Sequence, residues 1–212
     1  MKARTILIWG LLAAVIAIPV AAAGMSPLLA WREPIYIVAG FAGVIGLALM
    51  LMQPLLAGGY LPGLPVMQSR QVHRWTGGLL VLSVALHVGA LWIVSPPDVI
   101  DVLLFRSPTP FSVWGVVAMW AVFLAAFLAT FRRRLKLRPR IWRMAHTALA
   151  AVIVVGTVVH AFLIEGTMET VSKVGLSALV VLATLRVIYD LRVWSLRPKR
   201  AQGGSSSAKP TG

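Results

Sequence analysis

The stretch Gln71–Trp92, QVHRWTGGLLVLSVALHVGALW, decides how the rest of the chain is read. It has the apolar pattern of a helix, yet it carries His73 and His87, fourteen residues apart. A second stretch, Ile141–Ile164, IWRMAHTALAAVIVVGTVVHAFLI, repeats the arrangement with His146 and His160, again fourteen apart. These four are the only histidines in the chain. At about 100° per residue such a spacing is close to four turns, so each pair falls within about 40° of one face, about 21 Å apart along the axis.

Around these stretches the chain is 59% hydrophobic and 12% charged, with a mean hydropathy of +0.87. Apolar runs of about 20 residues recur, each long enough to cross the hydrocarbon of a bilayer. The expected fold is therefore all-α: a polytopic membrane protein, a bundle of six transmembrane helices. The spans are placed at about 5–25, 34–52, 72–94, 111–131, 142–164 and 171–191. Ala21-Ala22-Ala23 also suits a signal-peptide cleavage site; the first run is long for one and is read as a retained helix. Residues 54–65, rich in glycine and proline, form a loop. Ser95-Pro96-Pro97 ends the third span, and 98–110 is read as a loop. The division is a transmembrane domain over 1–195 and a basic, then Gly/Ser-rich, disordered tail over 196–212.

The formal charge of +14 would suggest nucleic acid in a soluble chain. In a membrane protein it marks the cytoplasmic side, so no nucleic-acid partner is expected. Sixteen of the twenty Lys and Arg residues fall in the N-terminus, the second and fourth loops and the C-terminus, and five of the six acidic residues fall in the other loops. Both termini are thus expected inside, in a plasma membrane. Trp75, Trp142 and Trp194 fall near the inner interface, and Trp31, Trp92 and Trp114 near the outer one. Cysteine is absent, which removes disulfides, thiolate-held clusters and covalent c-type haem.

The third and fifth spans run in the same direction, so His73 lies level with His146 and His87 level with His160. Each pair offers two neutral imidazoles to the two axial positions of one iron. Ionisable side chains inside a membrane are costly and usually functional. The expectation is two b-type haems between the third and fifth helices, one above the other. Intramembrane metal transport or proton conduction would usually bring carboxylates into the spans, and here Asp190 alone stands in one, four residues from Arg186. That spacing suits an i,i+4 ion pair, or an Arg186 reaching a haem propionate. The same faces present Gly77, Leu80 and Val84 on one helix, and Ala150, Ile153 and Thr157 on the other. Gly77 would let a porphyrin approach the backbone. Arg70, Arg74 and Arg143 sit near the inner pair, where guanidinium suits a propionate.

The run His73-Arg74-Trp75-Thr76-Gly77 followed by His87, with Trp142, His146 and His160 later, resembles the ferric reductase-like transmembrane domain. That family includes ferric-chelate reductases, the NADPH oxidase membrane core, and the haem-binding membrane subunit of the bacterial methionine sulfoxide reductase system. The resemblance implies bis-histidine haem ligation by the same four residues. The sequence holds no G-x-G-x-x-G and no apparent flavin site, so it looks like the short bacterial subunits that work with partners. The implied function is transmembrane electron transfer, from a cytosolic flavoprotein or quinol to a ferric chelate or a periplasmic protein outside. Alternatives are a non-catalytic haem subunit serving a separate periplasmic reductase, such as a molybdenum methionine sulfoxide reductase, and a haem-free transporter or channel.

Overall fold

The computed structural model describes residues 2–191; Trp194 and the tail over 196–212 lie outside the described residues. The described residues form seven α-helices and no strand: α1 (Lys2–Gly24), α2 (Pro34–Ala57), α3 (Val66–Val94), α4 (Pro96–Leu103), α5 (Pro110–Phe131), α6 (Pro139–Leu163) and α7 (Thr170–Leu191), with a 3-10 turn at Pro27–Leu29. All but α4 are long and apolar enough to cross a membrane, and the chain is a multi-pass membrane protein.

Proline writes most of the starts. Pro34, Pro96, Pro110 and Pro139 each occupy the first turn of a helix, where the missing N–H is not needed and φ is already helical. This corrects one expectation. The segment read as an outer loop contains α4, because Pro96-Pro97 opens a helix after ending α3, and Asp98 in the first turn suits the helix dipole. Two spans also run past their expected ends. Helix α2 continues through Pro54 to Ala57, and α3 begins at Val66. Gly59 and Gly63, with φ of 66° and 82°, then make the turn between them.

The bundle is built from two close hairpins. Helix α2 packs along α3, and α5 along α6; α7 lies against α2 and α6, with α1 on its flank. Small residues let the backbones approach. Ser83 of α3 donates to the Ala42 carbonyl of α2 at 2.6 Å, across from Gly46. A Cβ on Gly156 of α6 would stand 3.0 Å from both the Ala118 side chain and the Trp114 carbonyl of α5. Apolar side chains from α2, α3, α5, α6 and α7, among them Leu51, Leu80, Val122, Ile153 and Val180, make one core. The two hairpins themselves behave differently: α3 and α6 make almost no close backbone contact. The four histidines face one another in pairs across that separation.

Candidate functional site: two tiers of paired histidines

The structure brings the four histidines together as the expected pairs. The ring centroids of His73 and His146 are 6.4 Å apart with an interplanar angle of 72°. Those of His87 and His160 are also 6.4 Å apart, at 85°. Two rings sharing a metal atom, each with a metal–nitrogen bond of about 2.0 Å and a ring radius of about 1.2 Å, would have centroids about 6.4 Å apart. Both tiers therefore match the separation expected of two rings on opposite sides of one metal.

The ring nitrogens are prepared as well. His87 Nδ1 lies 2.7 Å from the Ala39 carbonyl of α2, and His160 Nδ1 lies 2.9 Å from the Phe111 carbonyl of α5. A carbonyl only accepts, so Nδ1 carries the hydrogen and donates it. That tautomer leaves the Nε2 lone pair free for a metal, the usual second-sphere arrangement for a ligating histidine. His73 Nδ1 makes a longer contact, 3.2 Å, to the Gln53 carbonyl. Among the described residues, His146 Nδ1 is buried with no partner, as is Nε1 of Trp142, whose ring stacks on His146 at 5.4 Å and 13°. Arg132 lies over the same indole, 4.7 Å from its centroid.

The seats of the second tier depend on two glycines. A Cβ on Gly43 would stand 3.3 Å from His87 Nδ1, and one on Gly115 would stand 2.8 Å from His160 Nδ1. Each glycine lies four residues after the carbonyl its histidine bonds, so the ring rests on bare backbone. Sequence reasoning missed these glycines and carbonyls. The spacing Gly40, Gly43, Gly46 was a visible small-residue stripe, but nothing in it names the ring that would cover it.

Gly77 lies beside Gln53, whose Oε1 would be 3.6 Å from a Cβ there, and Gln53 Nε2 donates to Thr76 Oγ1 at 2.9 Å. Leu80 and Ile153 are buried, while Val84, Ala150 and Thr157 are half-buried. Arg70, Arg74 and Arg143 are exposed. The one ion pair among the described residues is elsewhere, Arg186 Nε to Asp190 Oδ2 at 2.9 Å, the i,i+4 pairing. Tyr60 donates to the same carboxylate oxygen at 2.7 Å, tying the α2–α3 turn to the end of α7. A basic cavity of about 330 Å³, lined by Arg132, Arg133, Lys136, Leu137, Pro139 and Trp142, opens beside the His73–His146 tier.

The donor set limits what the tiers hold. Among the described residues no three or more of His, Asp or Glu converge. Two imidazoles alone are too few for a structural zinc or a hard divalent ion. They fit a metal whose remaining positions are filled by a planar macrocycle.

In comparisons with known proteins, residues 42–157 match the family described as ferric reductase like transmembrane component. His73, His87 and His146 fall inside the match, and His160 lies three residues beyond it. No curated protein and no solved structure matches the chain.

Proposed function

The chain belongs to the ferric reductase-like transmembrane family, which covers more than half its length, and from that premise we propose that it carries electrons across a bacterial plasma membrane on two b-type haems. His73 and His146 hold the first, towards the cytoplasm. His87 and His160 hold the second, towards the outside. The observation that carries this reading is the equal 6.4 Å separation of the two imidazole pairs. The orientation rests on the charge of the loops, with both termini cytoplasmic.

A bound haem supplies a one-electron iron couple in a setting the protein controls. The chain's own residues do the rest. The carbonyls of Ala39 and Phe111 hold the Nδ1 hydrogens, so both second-tier rings keep the tautomer that presents Nε2. Helix spacing sets the tiers about 21 Å apart, most of the way across a hydrocarbon layer about 30 Å thick. Apolar side chains keep water out between them. Arg70, Arg74 and Arg143 pair with propionates at the cytoplasmic level. The basic segment Arg132–Arg143 and its cavity receive an acidic electron donor, a flavoprotein, with quinol the other candidate. The acceptor is a ferric chelate or a periplasmic protein.

A second reading is a subunit that only delivers electrons to a separate periplasmic reductase, such as a molybdenum methionine sulfoxide reductase. Reduction of ferric chelate by the purified protein, given an electron donor and nothing else, separates the two readings.

The test of both is haem content per chain, read from the optical spectrum of the purified protein. Wild type should hold about two, and His73→Ala and His87→Ala about one each, lost from different levels. A folded but colourless wild type would return the chain to the transporter class.

A further inference from the structure

At the second-tier end one cation is out of place. Lys173, in the first turn of α7, is 9% exposed. Its Nζ donates to the Ile164 carbonyl at 2.8 Å, and the Ile164 N–H donates to the His160 carbonyl at 3.1 Å. The ammonium is therefore pinned to the end of α6, one helical turn beyond His160, about 6 Å along the axis. An ammonium has three donors, and this one makes no ion pair among the described residues. The carboxylates closest in sequence do not serve it. Glu169 accepts from the N–H groups of Val171 and Ser172, and Glu165 is exposed. The other two basic residues at this end, Arg32 and Arg106, are exposed, and Arg32 lies over Tyr36. A buried charge without a counter-charge is costly, and the partial charge of a helix C-terminus offsets only part of that cost.

We propose that Lys173 is the fixed positive charge beside the second-tier haem site and stabilises the reduced state of a haem held there. The proposal rests on the haem reading above. Reduction adds one electron to the second tier, with no bond made or broken and no proton required. A fixed positive charge close by favours that added electron. A unit charge about 10 Å away at an effective dielectric of about 20 changes the reduced-to-oxidised ratio about tenfold, or about 59 mV for a one-electron couple. The cation would then bias electrons towards the second tier.

The test is an equilibrium redox titration of the full-length protein, followed in the haem absorption bands. Lys173→Met should lower one of the two midpoint potentials and leave the other; Lys173→Arg should restore it. In a His73→Ala background, which keeps only the second-tier haem, Lys173→Met should show the same drop. In a His87→Ala background it should show none. If both haems are present and Lys173→Met leaves both potentials unchanged, or moves the first-tier haem, the proposal is overturned while the haem reading stands. If Lys173→Met does not fold, Lys173→Gln against Lys173→Arg makes the same comparison, with equal potentials the overturning result. A folded wild type without haem removes the function reading and this proposal with it.

Discussion

The two tiers share a ring separation and differ in how the rings are held. In the His87–His160 tier both Nδ1 atoms are bonded to carbonyls, at 2.7 and 2.9 Å, over glycines that leave them room. In the His73–His146 tier one contact is 3.2 Å long and the other nitrogen has no partner among the described residues. The second tier is set by the protein alone. The first is held by that longer contact and by the stacking of Trp142 on His146, and it lies beside the basic cavity. On the function proposed above, a tighter second tier and a looser first tier would suit a conduit whose first tier meets a separate donor.

The strongest way to break this contrast is to fill a glycine seat. In Gly115→Ala the new Cβ would stand 2.8 Å from His160 Nδ1. The ring must leave the Phe111 carbonyl or the helices must part, at about 1–3 kcal/mol for overpacking. Haem content should fall from about two per chain towards one, with the first tier spared. Gly43→Ala, at 3.3 Å from His87 Nδ1, should cause a milder loss at the same tier, seen as weakened haem retention on dilution. Equal and full retention in both variants would mean that the second-tier rings are not held as described.

A smaller effect is expected from the first tier. Trp142→Phe keeps an aromatic ring on His146 and removes an indole N–H that has no partner. Haem content should stay the same, and the stability of the haem-free protein should rise by up to about 1 kcal/mol, because an unsatisfied buried donor is gone. Loss of the first-tier haem instead would show that this N–H serves a bound acceptor. Next, Gln53→Leu breaks the bond to Thr76 but leaves the Gln53 carbonyl for His73. Thermal melting should show a cost of about 1 kcal/mol, with both haems in place.

The smallest effect concerns the anchor between the α2–α3 turn and α7. Burial, then the Asp190 carboxylate, raises the Tyr60 phenol above its ordinary value of 10.0. The folded protein thus holds that proton more tightly than the unfolded chain. The associated stability is complete below pH 10 and is lost as pH rises through the raised value. Tyr60→Phe should abolish this alkaline decline in melting curves and leave haem content unchanged.

Much of this was legible in the sequence, for local reasons. Span number, the histidine spacing and the pairing of His73 with His146 and His87 with His160 follow from hydropathy, helical period and the direction of two helices. The Arg186–Asp190 pair follows from a four-residue spacing. What was not legible depends on neighbours. Gly43 and Gly115 matter only because α2 lies against α3 and α5 against α6, and a backbone carbonyl leaves no mark in a sequence. Lys173 reads as one more charge at a membrane edge until its burial is seen. Helix α4 is hidden in the sequence because Pro-Pro marks the end of one helix as readily as the beginning of another.

The gap between α3 and α6 bears on how such a protein is made. Each of the hairpins α2–α3 and α5–α6 satisfies its own backbone and packs its own interface, so each can enter the bilayer as a finished unit during translation. On the haem reading proposed above, the prosthetic groups would then act as rivets, tightening a joint between the halves that the shared core begins. On that reading, a cell starved of porphyrin would insert every span and still fail to tighten that joint. The mark of that failure would be cleavage by proteases in the connection over 95–109, suppressed when porphyrin is restored.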